Sequence, residues 1–299
     1  MPDERLPLAV APAAANPWLG RRVLTYAHQC GAWEAPSSTL FALRRALELG
    51  VSGIELDVHA TADRHLVVCH DGTVDRTTNS HGPIHSMTLE ELRRLDNAYW
   101  FVPGGDETQG LDPGSYPYRG RAPASAEFGV TTLAEVLDVL DDHPHVALNL
   151  DIKQTAPSVE PYEELLAQEI SGRRGTDRVI VASFLDIATD SFAKYAPDIA
   201  TSAGTLATAI FWRAVHEGET PPTSAHVALQ VPANQGELVV VDELFVSAAH
   251  ESGMAVHVWT INDVVEMGRL LDLGVDGLIS DLPTPLVAQV AARGLAYRP

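Results

Sequence analysis

The chain has 299 residues, with 40 Asp and Glu against 20 Lys and Arg, and its formal net charge at neutral pH is −20. A charge of this sign opposes long-range attraction to DNA, to RNA or to an anionic membrane surface, so we expect no nucleic-acid partner. An anionic substrate would need a local positive charge at its binding site.

The sequence holds no uninterrupted run of 18 apolar residues, so we predict no membrane span and no stable membrane insertion. The N-terminal segment lacks the basic start and the unbroken apolar run of a secretory signal. Two cysteines, Cys30 and Cys69, are too few for a disulfide framework, and we expect them to be reduced and largely buried. We therefore expect a cytoplasmic protein. Its oligomeric state is left open.

Strand-like and helix-like segments alternate along the chain. A strand at 23 to 28 precedes a helix at 38 to 50, in which apolar residues recur at helical spacing, and a second strand follows at 53 to 58. The later strand and helix pairs are 146–153 with 160–170, 179–184 with 186–196, 199–204 with 205–218, 226–231 with 241–253, 256–261 with 263–274, and 277–281 with 285–294. Eight such units predict an α/β fold, a closed (β/α)8 barrel of the TIM type.

One further strand-like run, HLVVCH, follows the second strand after only six residues. A parallel crossover needs a dozen residues or more, so we predict that 58 to 71 forms an antiparallel hairpin excursion above the barrel. The excursion leaves after Asp57 and returns at His70, which brings these two residues to one place.

An irregular insertion spans 97 to 127 and is rich in glycine, proline and aromatic residues. Four of its aromatic side chains, Tyr99, Trp100, Phe101 and Tyr116, favour an ordered lid or cap over a disordered segment. We expect an N-terminal extension at 1 to 22 and a single domain at 23 to 299 that includes this insertion.

Charged side chains gather at the predicted strand ends. Glu55 and Asp57 share one face of the second strand, and Asp151 and Lys153 share one face of a later strand, because residues i and i+2 of a strand point the same way. Barrel active sites lie at the carboxyl ends of the strands. Carboxylates that converge there repel one another, and a divalent cation with oxygen ligands, Mg²⁺ or Ca²⁺, would relieve that repulsion.

Several motifs, taken together, resemble those of the glycerophosphodiester phosphodiesterase family. They are AHQCG, GIELDV, VVCHDGTVDRTTN, SMTLEELRRLD, LDIK, VASF and VHVWTINDVVEMGRLLDLGVDGLISDLP, in the expected order from about residue 23 to residue 286. The resemblance implies a TIM-type barrel that uses a divalent metal to hydrolyse glycerophosphodiesters to glycerol 3-phosphate and an alcohol. It places the chain in lipid and glycerol metabolism, with a small phosphodiester as its substrate.

The resemblance also assigns roles to single residues. It matches His28 and His70 to two catalytic histidines, and we take His28 as the base and His70 as the acid, although spacing does not decide between them. Asp71 is a candidate for orienting a neighbour. The remaining matches are Glu55, Asp57 and Asp151 as metal ligands, and Gln29, Lys153 and Trp259 as substrate-binding residues.

Three positions depart from the family pattern. Gln29 stands where an arginine is usual, Asp151 stands where a glutamate is usual, and the common PENT run reads Pro36-Ser37-Ser38-Thr39, which loses an acid near the site. An arginine binds phosphate with a charge-assisted hydrogen bond, so phosphate binding should weaken or depend more on Lys153 and the metal.

Two other functions stay open. Gln29 and Asp151 are similar to the pattern of enzymes resembling sphingomyelinase D, which favours phospholipase D-type activity on lysophospholipids or sphingolipid-like substrates. A degenerate barrel that binds a phospho-ligand without catalysis is the alternative from another class. We expect His59, His65, His81 and His85, which lack this context, to lie exposed on the surface.

Overall fold

A computed structural model describes residues 16–20, 23–153 and 162–297. Its strands are β1 Leu24–His28, β2 Gly53–Ala60, β3 Leu66–Val68, β4 Ala147–Ile152, β5 Val179–Ala182, β6 Ala200–Ala203, β7 Ala228–Pro232, β8 Asn234–Gln235, β9 Leu238–Val239, β10 Ala255–Trp259 and β11 Gly277–Ser280. Its helices are α1 Leu40–Glu48, α2 Leu89–Leu92, α3 Leu133–Leu140, α4 Tyr162–Ser171, α5 Asp186–Tyr195, α6 Thr205–His216, α7 Glu243–Glu251, α8 Val264–Leu273 and α9 Pro283–Ala292.

Eight parallel strands form a closed barrel in the order β1, β2, β4, β5, β6, β7, β10 and β11. The barrel closes because β1 pairs in parallel both with β11 and with β2. Buried aliphatic side chains fill the layer between these strands and the surrounding helices. The predicted (β/α)8 fold is therefore confirmed.

The hairpin excursion is also confirmed. β2 pairs antiparallel with β3, with Val58 opposite Val68, and the Cys69 N–H donates to the Asp57 carbonyl at 3.0 Å. The returning chain therefore passes directly beside the end of β2. His59 lies within this hairpin and is buried, so its predicted exposure is wrong; β2 is buried along its whole length and leaves no exposed face.

Two helices, α2 and α3, were absent from the sequence prediction. α3 follows the insertion and completes the second βα unit, and it begins at a capping box formed by Thr132 and Glu135. Its four buried residues are all apolar and recur at helical spacing, Leu133, Val136, Leu137 and Leu140. The proposed start of the next helix, at residue 160, lies outside the described residues.

The insertion at 97 to 127 packs beside the barrel. The Arg119 guanidinium lies 3.6 Å from the centre of the Tyr116 ring and also stacks on Tyr99 and Trp100. Tyr118 packs on Phe41 of α1. All residues of the insertion are described, and none of them lines the cavity of the barrel mouth. Its action as a lid stays a prediction.

Only residues 16–20 of the N-terminal extension are described. Trp18 is buried there, and its ring meets His257 edge-on at 6.1 Å. Both cysteines are free and buried, as expected. Within the described ranges, no helix combines the length and the apolar character that crossing a membrane requires.

Candidate active site

A cavity of about 690 Å³ opens at the carboxyl ends of the barrel strands. Its wall includes most of the side chains singled out in the sequence, namely His28, Glu55, His70, Asp151, Lys153 and Trp259. Asp57 lies beside them but is fully buried, and Gln29 is buried next to His28. The residues that the sequence proposed for the site therefore converge at one rim of the barrel, while their individual roles stay predictions.

Asp57, Asp151 and Lys153 form a compact ionic cluster. Asp57 of β2 is the register partner of Asp151 of β4, and Lys153 Nζ lies 2.8 Å from Asp57 Oδ1 and 2.7 Å from Asp151 Oδ2. Burial disfavours the ammonium, but the two carboxylates outweigh it and hold the pKa of Lys153 above its ordinary value. Burial raises the pKa of Asp151 despite the attraction of Lys153.

Glu55 lies two residues before Asp57 on the same face of β2 and faces His28. Glu55 Oε2 lies 3.7 Å from His28 Nε2 and accepts a hydrogen bond from the Gln29 N–H at 3.2 Å. Burial and the nearby Asp57 raise the pKa of Glu55. The attraction between Glu55 and His28 therefore favours the ion pair of carboxylate and imidazolium, because the charge on each group stabilises the opposite charge on the other.

His28 is held from its other side by a residue that sequence reasoning missed. Asp281, which follows β11, lies with Oδ1 2.6 Å from His28 Nδ1, and its Oδ2 accepts from the Asn262 amide at 2.7 Å. Burial lowers the pKa of His28, but Glu55 and Asp281 outweigh this effect and raise it. The only signal in the sequence was an acid at the end of the last strand, in GLISD.

His70 has an equivalent arrangement. His70 Nδ1 lies 2.7 Å from Asp71 Oδ1, and Asp71 Oδ2 accepts from Arg76 Nε at 3.0 Å. The hydrogen bond from His70, with help from Arg76, lowers the pKa of Asp71 to about 2. Asp71 therefore stays ionised and fixes the His70 ring, which agrees with the orienting role proposed for it.

Gln29 occupies a strained position in the turn after β1. Its φ of 48° lies in the left-handed region, and its side chain amide lies 3.4 Å from His28 Nε2. Its Oε1 accepts no hydrogen bond from any described residue. The Gln29 amide is therefore buried beside His28, behind the residues that line the cavity.

The acids fit a hard cation in their chemistry. All three candidate ligands offer carboxylate oxygens, and two buried atoms, Asp57 Oδ2 and Asp151 Oδ1, accept no hydrogen bond from the described part of the chain. The arrangement of the described side chains does not by itself bring three His, Cys, Asp or Glu residues together as a ligand cage. The Lys153 ammonium instead lies between Asp57 and Asp151.

The wall of the cavity away from the acids is apolar. Phe184 and Trp259 meet edge-on with ring centres 5.3 Å apart, and Trp212 and Leu238 extend this surface toward α6 and the β8–β9 hairpin. Asn149 and Gln230 also line the cavity and form a paired amide contact, with Asn149 Nδ2 donating to Gln230 Oε1 at 2.9 Å. The cavity thus joins a polar end to an apolar arm.

Comparison with known families gives a consistent result. The model of the family described as "Glycerophosphoryl diester phosphodiesterase family" matches residues 28–284. A glycerophosphodiester phosphodiesterase of Caldanaerobacter subterraneus is 32% identical over 276 residues, which cover 91% of this chain and 100% of that protein. One of Bacillus altitudinis is 29% identical over 86% of this chain and 94% of its own length.

Solved structures share the barrel. A glycerophosphoryl diester phosphodiesterase domain from Mycobacterium tuberculosis aligns with a TM-score of 0.73 at 21% identity, over 91% of this chain and 99% of its own. A phosphodiesterase of Oleispira antarctica, solved in complex with the product sn-glycerol-3-phosphate, aligns with a TM-score of 0.66 at 23% identity, over 90% of this chain and 97% of its own. At sequence identities of 21% and 23%, these structural similarities support the barrel fold of this chain and no more than the fold.

Proposed function

The chain belongs to the glycerophosphoryl diester phosphodiesterase family, and from this premise we propose that it hydrolyses glycerophosphodiesters to glycerol 3-phosphate and an alcohol at the cavity of the barrel mouth. The observation that carries the proposal is the convergence of two carboxylate-held imidazoles and one lysine on a single wall. A phosphodiester carries negative charge, and the Lys153 ammonium, together with a cation held by the neighbouring acids, would supply the local positive charge that this acidic chain needs to bind it.

His28 and His70 supply the proton transfers. Because Asp281 and Asp71 hold the Nδ1 atoms, each ring would exchange its proton with the substrate through Nε2, which in His28 also lies 3.4 Å from the Gln29 amide nitrogen. His28 takes the proton of the attacking oxygen, which belongs to water or to a neighbouring glycerol hydroxyl. In the second case a cyclic phosphate forms as the alcohol leaves, and water must then attack its phosphorus and break one ring P–O bond to give glycerol 3-phosphate. His70 gives a proton to the leaving alkoxide as its bond to phosphorus breaks. Each ring then returns to its starting state by exchange with water.

Glu55, Asp57 and Asp151 would hold a divalent cation, with Mg²⁺ and Ca²⁺ as the candidates that their oxygen atoms suit. When bound, the cation would stabilise charge on the phosphate oxygens and offset the Glu55 charge that raises the pKa of His28. Lys153 and Gln29 bind the phosphate, and Trp259 borders the bound group. The cytoplasmic compartment and the lack of a nucleic-acid partner stay predictions.

A substrate panel tests the proposal. Glycerophosphocholine, glycerophosphoethanolamine, lysophosphatidylcholine and bis(p-nitrophenyl) phosphate are each assayed with chelator and with added Mg²⁺ or Ca²⁺. We expect turnover of the two glycerophosphodiesters that chelation abolishes and the cation restores. Ligand binding with no product from any substrate would instead assign the chain to the non-catalytic class.

The histidine roles are tested by substitution. His28→Ala and His70→Ala should each lower kcat on glycerophosphocholine by roughly 10²-fold or more, the usual contribution of a positioned acid or base. The exposed His145 gives a matched control, since it precedes the amino end of β4, whereas the cavity opens at the carboxyl ends of the strands. An unchanged rate in either catalytic variant would refute the assignment.

A lysophospholipid substrate is the second candidate, and the apolar arm of the cavity favours it. A glycerophosphodiester with a small head group leaves this arm unfilled, whereas an acyl chain would bury its apolar surface. Leu238 lies on the arm with 46% of its surface exposed, so Leu238→Ser tests it with little effect on folding. If lysophosphatidylcholine is the substrate, Leu238→Ser should lower the rate of its hydrolysis and leave the other substrates unaffected. Val265→Ser, at an exposed position on α8, is the control.

A further inference from the structure

The insertion at 97 to 127 reaches the catalytic region through a single carboxylate, Glu107. Arg76 Nη1 donates to Glu107 Oε2, and Arg76 Nε donates to Asp71 Oδ2 at 3.0 Å. Asp71 in turn holds the His70 ring through its other oxygen. A continuous row of hydrogen-bonded charges therefore runs from Glu107 through Arg76 and Asp71 to His70.

Glu107 is well placed to hold this row in position. Its side chain is only 4% exposed, whereas the Arg76 side chain is 30% exposed. The surrounding segment is tied to two loops of the barrel rim: the Trp33 indole N–H donates to Asp106 at 2.9 Å, and the Gln109 amide donates to the Asp75 carbonyl at 3.0 Å. Glu107, at the buried end of this row of charges, is therefore held in place more firmly than Arg76.

Glu107 also contacts the position where the chain departs from its family's motif. Ser37 Oγ donates to Glu107 Oε1 at 2.6 Å, and Ser37 is the residue that stands where the PENT run carries its acid. An acid at position 37 would project from its backbone into the space that the Glu107 carboxylate fills. The insertion thus supplies a carboxylate beside the position that lacks one.

We propose that Glu107 is a positioning residue which, through Arg76 and Asp71, fixes His70 for proton transfer to the leaving oxygen and replaces the acid missing at position 37. The inference rests on the proposed function, because it assigns His70 the role of acid. Without Glu107, Arg76 loses one of two anionic partners and can turn toward solvent, so Asp71 and His70 hold their orientation less well.

The test uses two substrates that share the glycerol phosphate and differ in the leaving group, glycerophosphocholine and the glycerol p-nitrophenyl phosphate diester. The first expels an alkoxide that needs a proton, whereas nitrophenolate leaves as a stable anion. Glu107→Gln should lower kcat on glycerophosphocholine by about tenfold, part of the roughly 10²-fold or more that a general acid contributes, with KM little changed. The nitrophenyl diester should be nearly unaffected, and His70→Ala should show the same pattern more strongly.

Moving the carboxylate tests whether position, and not charge alone, is what matters. Ser37→Glu combined with Glu107→Ala should restore most of the kcat that Glu107→Ala loses. Glu127→Gln is the matched control, since Glu127 ends the same insertion in an exposed ion pair with Arg44 and should leave both substrates unaffected. Thermal unfolding of each variant identifies any loss of folded protein.

Three results would overturn the inference. Equal slowing of both substrates by Glu107→Gln, beside an unequal effect of His70→Ala, would mean that Glu107 does not act through His70. If the parent protein is active and Glu107→Gln has the same rate, Glu107 has no positioning role, and the proposed function is unaffected. Absence of turnover by the parent protein on both diesters would overturn the proposed function, and the inference with it.

Discussion

Asp57 and Asp151 are register partners on neighbouring strands, and one ammonium, that of Lys153, lies within 2.8 Å of both. With Glu55 on the same face, three carboxylates face a single lysine. Charges so close in a buried site are costly when unbalanced. The cluster is therefore arranged to gain from a further cation, either a metal ion or a proton.

Lys153→Met should lower the free energy of unfolding, because it removes the one ammonium that offsets the buried carboxylates. The variant leaves Asp57 and Asp151 buried without a counter-charge, which we expect to cost about 3 kcal/mol in the presence of a chelator. Added Mg²⁺ or Ca²⁺ should restore more stability to the variant than to the parent, because two carboxylates are then free to bind it. Urea unfolding with chelator and with metal measures both effects.

Lys194→Met provides the matched control for this experiment. Lys194 is exposed on α5, so its loss should change neither the stability nor its response to metal. If Lys153→Met unfolds like the parent protein in chelator, the ammonium does not compensate the two aspartates, and the reading of the cluster is wrong.

Asp281→Asn should impair catalysis while leaving the fold intact. The substitution keeps the shape of the side chain but removes the charge that holds the His28 ring. We expect kcat on glycerophosphocholine to fall by roughly 10²-fold with KM little changed, since His28 then holds the wrong orientation or tautomer. Steady-state kinetics measures both constants.

Two further variants make this result specific. In a His28→Ala background, Asp281→Asn should cost little more, because residues that act as one unit are not additive. Asp276→Asn changes a similar pair of an aspartate and a histidine, since Asp276 Oδ2 lies 2.8 Å from His250 Nε2. Asp276 precedes β11, whereas Asp281 follows it, so the two pairs lie at opposite ends of the strand. A similar fall of kcat in this second variant would show that the Asp281 effect is not local to the site.

The sequence predicted the barrel well because its signals are local. Apolar runs of strand length alternate with segments of helical spacing, and the six residues between two of these runs required an antiparallel return at His70. The short β8–β9 hairpin was missed, since its two-residue strands are too short to show any alternation. α3 carried its own capping signal and could have been found.

The partners of the site residues could not be predicted in the same way. Asp281 lies 253 positions from His28, and Glu107 lies 31 positions from Arg76 inside an irregular segment. Closure of the barrel brings the first pair together, and the packing of the insertion brings the second pair together. Neither contact follows from spacing along the chain, so only the folded structure identifies these two acids.

Gln29→Arg should strengthen phosphate binding. A guanidinium forms a charge-assisted hydrogen bond where the amide forms a neutral one, a difference of about 1 kcal/mol or roughly fivefold in KM. The backbone adds no new strain, because Gln29 already holds a φ of 48° with a full side chain. The inhibition constant of inorganic phosphate as a competitor should fall by a similar factor. Gln29→Leu is the control and should weaken both, whereas an unchanged KM in Gln29→Arg would place the phosphate elsewhere.

His257 should make the folded state sensitive to acid. Its ring is fully buried against Tyr26 at 5.3 Å, neither ring nitrogen has a hydrogen-bond partner among the described residues, and burial lowers its pKa to about 4. An unfolded chain binds the proton near the ordinary pKa of about 6.5. Between these two values the unfolded state holds more protons, so the free energy of unfolding rises with pH and falls on acidification.

The expected loss through His257 is at most about 3 kcal/mol between pH 6.5 and pH 4, since one pKa unit corresponds to about 1.4 kcal/mol. His257→Leu removes the titrating group and should flatten the pH dependence of urea unfolding in this range by that amount, whatever it does to the stability at pH 7. His145→Leu, at an exposed position, should keep the slope of the parent protein. If the free energy of unfolding changed with pH equally in the parent protein and in His257→Leu, protonation of the buried ring would carry no cost in stability. That result would contradict the prediction.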